Sequence, residues 1–199
     1  MSPEQVKADS ERRSRLTSER TAEVLDAVVD ILREVGYEAL TMDAVAARAK
    51  SSKATLYRQW QNKTNLVIAA MHRAKPVSLT VDTGSLVGDL HAIARSLARF
   101  AQPDGELLTA MGHAVMKNPE LGDAMREQLI RPEREAFEDL VRRAIDRGEL
   151  AHRPAATEHC GPILVQQVIH RPVCEGHPVD EDFLISVVDT VILPALRNS

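Results

Sequence analysis

Four consecutive side chains, Ser52, Lys53, Ala54 and Thr55, are of the types needed to read the edge of a base pair. A lysine ammonium donates to guanine O6 or N7, the methyls of alanine and threonine meet a thymine methyl, and small side chains allow a close approach to the groove floor. Thr41, Thr55, Tyr57 and Lys63 supply hydroxyl and ammonium donors of the kind that grip phosphate. Lys63 gains further from lying at the start of a helix, whose N-terminal end is positive. Lys50, Ser51, Arg58 and Gln59 complete a polar and basic set in the same run. Tyr57 can equally serve as a half-buried packing residue, and Trp60 belongs in a core.

The charge around these residues is unusual. Between Ala44 and Val81 there is no Asp or Glu, although the chain holds 29 acids and carries a net charge of -4. The same stretch contains Arg48, Lys50, Lys53, Arg58, Lys63, Arg73 and Lys75. Residues 1–63 carry a net +1 and residues 64–199 a net -5. Only the front third therefore suits a polyanion. Arg12, Arg13, Arg15 and Arg20 stand in a polar N-terminal tail, residues 1–20, read as a solvated arm or as one that reaches along DNA.

Helices must position this set. Leu25, Val28, Val29, Leu32 and Val35 share one face of a helix over 18–35, and Gly36 is its natural stop. Thr41 caps a second helix that carries Met42, Val45, Ala46 and Ala49 inward. Ser52 caps a third, running to Trp60 with Leu56 and Trp60 buried. A fourth begins at Lys63, turns Leu66, Val67, Ala70 and Met71 inward and ends before Pro76. The second and third helices, joined by about three residues, form a helix-turn-helix.

The run Thr41-Met42-Asp43-Ala44-Val45-Ala46, then Thr55-Leu56-Tyr57-Arg58, then Trp60, Asn62 and Lys63, resembles the N-terminal domain of TetR-family transcriptional regulators. The resemblance covers about residues 20–70. It implies a three-helix DNA-binding domain and DNA contacts at Thr41, Ser52, Lys53, Ala54, Thr55, Tyr57 and Lys63. It also implies a larger helical domain that encloses a ligand pocket, and a dimer built from the last two helices. One departure stands out. The family often has glycine and an apolar residue in the turn, where this chain has Lys50 and Ser51. A positive φ at Lys50 costs about 1 kcal/mol.

The remainder, 76–199, reads as helices. One ends before Pro103, and Asp104 caps the next, with Leu107, Leu108, Met111 and Val115. Asn118-Pro119 opens a long pattern, interrupted at Pro132 and stopped at Gly148. Another helix spans 158–170, and Asp180 caps the last. Candidate pocket residues, for an unidentified small apolar ligand, are Leu97, Phe100, Met111, His113, Met116, Phe137, Val165, Gln166 and Ile169. The same composition suits any helical core. The wide stripe of the last helix, Phe183, Leu184, Val187, Val188, Val191 and Ile192, suits a homodimer.

The expected fold is all-α, with about nine helices: a flexible arm over 1–17, a helix-turn-helix domain over 18–75 and a ligand-binding and dimerisation domain over 76–199. No enzyme constellation is present, neither a Gly-rich phosphate loop nor a nucleophile elbow, and no cofactor is expected. His152, His159, Cys160, His170, Cys174 and His177 crowd one segment, but without a geometry that commits them to metal. There is no apolar run long enough for a membrane span and no signal peptide, so a cytoplasmic protein is expected. The function expected is a dimeric regulator bound to a palindromic double-stranded operator, a repressor released by ligand. The alternative is a helical ligand-binding or interaction protein without specific DNA binding.

Overall fold

Thr17 opens the first helix: its side chain accepts a hydrogen bond from the Arg20 amide at 3.2 Å. A computed structural model describes residues 17–74 and 81–198, and within the helix over 102–110 only the Leu107 side chain. The expected N-terminal arm with Arg12, Arg13 and Arg15 and the side chain of Leu108 lie outside the described residues. Every regular element among the described residues is a helix. Two compact units divide the chain: one runs to Ala74 and includes His113–Ala124, the other holds Lys75–Gly112 and Met125–Ser199.

In the front unit, α1 is Ser18–Ala39, α2 Met42–Arg48, α3 Lys53–Trp60 and α4 Lys63–Ala74. Gly36 breaks the helical path of α1 with φ 75°, a conformation that costs glycine little. Val35, placed on the apolar face by its spacing, is instead 53% exposed. The chain is already turning at Gly36, so the last residue of the stripe no longer faces α4. Val24, Val28 and Leu32 of α1 are buried, as are Leu66, Val67, Ala70 and Met71 of α4. At the end of this core the Tyr37 hydroxyl lies 3.1 Å from Thr64 Oγ1, so both buried polar groups are satisfied.

α5 runs unbroken from Leu86 to Lys117, with its stretch as far as Gly112 in the second unit. This corrects both the expected break before Pro103 and the expected new helix start at Asp104. Phe100, Leu107 and Met111 are all buried at helical spacing, and their burial outweighs the hydrogen bond that proline forfeits. The start of α5 is held from two sides. Ser85 Oγ accepts from the Gly88 amide at 3.1 Å, and the Glu149 carboxylate accepts from the Leu86 amide at 2.8 Å. A Cβ at Gly88 would lie 2.3 Å from Thr83 Oγ1, so a side chain there would displace the entry loop. The fully buried Asp89 fixes that loop by accepting from the Thr83 amide and hydroxyl at 2.6 and 2.7 Å.

Asn118 Oδ1 accepts from the Leu121 amide and opens α6, Pro119–Met125. A π-turn over Arg126–Ile130 then leads into α7, Arg131–Asp146. The irregularity expected at Pro132 takes this form, widening the helix rather than breaking it. Gly148, φ 75°, ends α7: its amide bonds Ile145 O, and that of Glu149 bonds Ala144 O. The remaining helices are α8, Thr157–His170, extended by a π-turn over Arg171–Glu175, then α9, Glu181–Val187, and α10, Leu193–Arg197, joined through a π-turn over Val188–Ile192. Asp180 accepts from the Phe183 amide at 2.8 Å and caps α9. Leu90, Ile93, Leu97, Phe137, Leu140, Leu164, Leu184 and Val188 share the core of this unit.

Candidate nucleic-acid interface and ligand cavity

The helix-turn-helix is set by local hydrogen bonds. Thr41 Oγ1 accepts from the Ala44 amide at 3.1 Å, and Ser52 Oγ from the Thr55 amide at 3.1 Å. Between these caps α2 ends in a left-handed residue, Lys50, at φ 47°. The Lys50 amide bonds Ala47 O at 3.3 Å and the Ser51 amide bonds Ala46 O at 2.9 Å. This is the Schellman closure, with lysine where glycine is usual. Arg20 donates to the carbonyls of Ala49 and Lys50, the latter at 2.7 Å, and pairs with Glu23.

Leu56 and Trp60 anchor α3 in the core, 0% and 7% exposed. The faces left outward carry Ser52, Lys53, Ala54, Tyr57, Arg58 and Gln59, all exposed, with Thr55 half-buried. Tyr57 is 44% exposed. A second positive φ, 63° at Gln61, closes α3. The Asn62 amide reaches back to Trp60 O at 2.7 Å, a γ-turn of the rare, strained hand. Asn62 Oδ1 then accepts from the Asn65 amide and caps α4.

Several cations of this surface have partners that sequence spacing does not disclose. Lys53 Nζ lies 2.9 Å from Asp43 Oδ2, and that hydrogen bond raises its pKa. Arg48 makes a two-pronged pair with Glu34, both contacts 2.7 Å, which holds the Glu34 carboxyl below its usual range. Gln59 Nε2 donates to Thr21 Oγ1 at 3.3 Å. Lys63 has partners within its own unit. Its ammonium lies 2.8, 3.1 and 3.5 Å from the carbonyls of Tyr37, Leu40 and Glu38, and 4.1 Å from the Tyr37 ring centroid. An ammonium has three N–H donors, and here all are taken. Lys63 therefore clasps the chain that delivers Thr41, while burial lowers its own pKa.

The second unit contains a cavity of about 230 Å³. Leu97, Phe137, Val165 and Gln166 line it as expected, joined by Ile93, Ile130, Thr157, Gly161, Pro162 and Leu164. Glu133, Arg134, Glu138 and Glu158 add charge. Arg153 donates to both oxygens of Glu138, at 2.5 and 2.8 Å, and lowers its pKa. Both framing helices are irregular at the cavity. The π-turn over Arg126–Ile130 precedes α7, with Pro132 in its first turn, and Pro162 leaves the Glu158 carbonyl without its amide in α8.

Other expected pocket residues lie elsewhere. Phe100 and Met111 are buried but do not line the cavity, and Ile169 is half-buried outside its lining. His113 and Met116 belong to the front unit and are exposed, Met116 at 86%. Because α5 continues through Pro103, its phase places Met111 and Ala114 inward and His113 and Met116 on the opposite face.

The interface stripe of the last helix divides. Leu184, Val188 and Ile192 are completely buried in their own unit's core and have no surface to offer a partner. The stripe is wide because it covers both α8 and the rest of that core. Phe183 and Val187 are half-buried and Val191 is 47% exposed. Of the His and Cys cluster, Cys160 is buried, which raises its thiol pKa, and Cys174 is exposed. Among the described residues no group of three or more His, Cys, Asp or Glu is arranged to hold a metal.

Two family profiles match different parts of the chain. The family profile described as bacterial regulatory proteins, tetR family, matches residues 24–70, and the tetracyclin repressor-like C-terminal domain profile matches 80–191. An uncharacterized HTH-type transcriptional regulator of Mycobacterium tuberculosis is 33% identical over 183 residues, 92% of this chain and 90% of that protein. The DNA-binding transcriptional repressor TetR of Mycobacteroides abscessus is 35% identical over 187 residues, 89% of this chain and 94% of that protein. A TetR transcription regulator from Haloarcula marismortui shares the fold, with a TM-score of 0.63 at 22% identity, covering 90% of this chain and 97% of that structure.

Proposed function

The chain belongs to the TetR family of bacterial transcriptional regulators, and on that premise we propose that it is a dimeric, sequence-specific repressor that a small ligand releases from DNA. The observation that carries the reading is the exposed N-terminal turn of α3, with Ser52, Lys53 and Ala54 outward beside a Thr55 held by the Ser52 cap. Such a turn enters a major groove, where Lys53 and the methyls of Ala54 and Thr55 meet base edges. Thr41, Lys50, Ser51, Tyr57, Arg58 and Gln59 lie around it as backbone contacts. A function on chromosomal DNA places the protein in the cytoplasm, and among the described residues no helix is long and apolar enough to cross a membrane.

Two half-sites about one helical turn apart require a two-fold dimer and a palindromic operator. Exposed Ile163, Val173 and Val191 on the last helical segments support such a contact. The cavity supports ligand control. A cavity of about 150 Å³ accepts benzene, so this larger, mostly apolar one suits a ring bearing a short chain. Release requires the ligand to prefer the arrangement that does not bind DNA.

The test is selection of a duplex from a random library by the full-length protein, followed by binding to that duplex and to random DNA across salt concentrations. The expected result is a palindromic selected site and an affinity that falls by about 0.9 log units per log unit of salt for each phosphate neutralised. Equal affinity for selected and random duplexes overturns sequence-specific regulation.

A further inference from the structure

We infer that Arg20 is a positioning residue for DNA recognition: its guanidinium pins the left-handed turn at Lys50 and so sets where the reading helix begins. The inference rests on the proposed DNA-binding function. Lys50 occupies the one position of the turn where a side chain is strained, at φ 47°. The Schellman bonds account for the amides of Lys50 and Ser51 but leave the carbonyls of Ala49 and Lys50 facing outward. Arg20 takes both with one nitrogen, while Glu23 holds another nitrogen of the same guanidinium in place. A planar fork tied down at one prong loses little freedom when it binds with the other. The next residue, Thr21, accepts from Gln59 on α3 itself. Adjacent residues at the start of α1 thus hold the turn and the helix that follows it. Where a glycine would relax the turn, this chain uses a remote arginine, and Ser52 and Lys53 begin two residues after the pinned carbonyl.

The test is a double-mutant cycle in the full-length protein with Arg20→Ala, Lys50→Gly and the pair. Each is measured on the duplex selected by the wild type and on a random duplex, across salt, after thermal melts establish that the variants are folded. The expected result is a roughly tenfold loss of selected-site affinity for R20A, the weight of a charge-assisted hydrogen bond. The salt slope stays unchanged and the loss is clearly smaller in the K50G background, because glycine needs no clamp there. An equal loss in both backgrounds overturns the inference, as does no loss at all. A salt slope lower by about 0.9 makes Arg20 a direct phosphate contact instead. If R20A does not fold, Arg20→Lys replaces it, since lysine lacks the fork. A DNA-free arm separates this inference from the regulator reading. Trypsin cleavage after Lys50 is expected to be faster in the Arg20 variant than in the wild type, and an unchanged rate overturns the clamp even where no duplex is selected.

Discussion

A lysine in a DNA-facing surface contributes according to what it gives up to reach the DNA. On the proposed DNA surface Lys53 would give up an ion pair with Asp43, 50% and 72% exposed respectively, which is worth little in water but subtracts one cation from the field seen by any phosphate. Asp43→Asn is therefore expected to strengthen binding to random duplex, with a salt slope steeper by up to about 0.9, and to lower the ratio of selected to random affinity. A filter-binding titration on both duplexes checks this. Lys63 is the converse case. With its ammonium on three carbonyls, Lys63→Met is expected to lower stability by about 1.5–3 kcal/mol in a urea titration. The salt slope of DNA binding should not move; a flattened slope would return Lys63 to the phosphates. Neither partnership was legible in the sequence, because Asp43 lies ten residues from Lys53 and the carbonyls 23 to 26 from Lys63.

Elements were far more legible than partners. Thr41, Ser52, Asn118 and Asp180 all cap the helices that follow them, since a side-chain oxygen needs only the amide two or three residues ahead. Ser52→Ala is expected to cost about 1 kcal/mol by chemical denaturation, and a further loss of DNA affinity would register the displaced start of α3. Gly148→Ala should cost a similar amount, about 1 kcal/mol, because φ 75° suits glycine alone although space is open around it. Pro103 misled for a reason of the same kind turned around. A local rule says proline ends a helix, but Phe100, Leu107 and Met111 are held by burial that lies beyond local reach. Gln61 escaped notice because nothing in glutamine announces a positive φ; the short connection between Trp60 and the Asn62 cap imposes it.

At the scale of the whole molecule, the proposed dimer and the core compete for the same stripe of the last helix. Val188→Asp is expected to unfold the second unit, since Val188 is completely buried, whereas Val191→Asp should leave the fold intact and shift the protein to monomer. Thermal melting and analytical ultracentrifugation of both variants separate the two effects; a V191D protein that remains dimeric moves the contact to another face. Acid acts on the whole molecule through its paired carboxylates. Glu138, with its pKa lowered by the Arg153 hydrogen bonds, adds stability that is present above the ordinary carboxylate pKa and lost as pH falls through the lowered one. Replacing Arg153 with Met should therefore lower stability at neutral pH and shrink the difference between neutral and strongly acidic conditions.

The sequence by itself determined the helices of the front unit, the caps at Thr41, Ser52, Asn118 and Asp180, and the small and basic side chains at the start of α3, Ser52 to Thr55. Each of these depends on side chains within about four residues of one another, where spacing and chemistry suffice. Only the tertiary structure decided which cations are already taken, which face of the last helix is core, and which apolar residues enclose the cavity. Those outcomes depend on groups brought together from distant positions, as Arg20 is brought to Lys50 across 30 residues, and no local pattern encodes such a meeting.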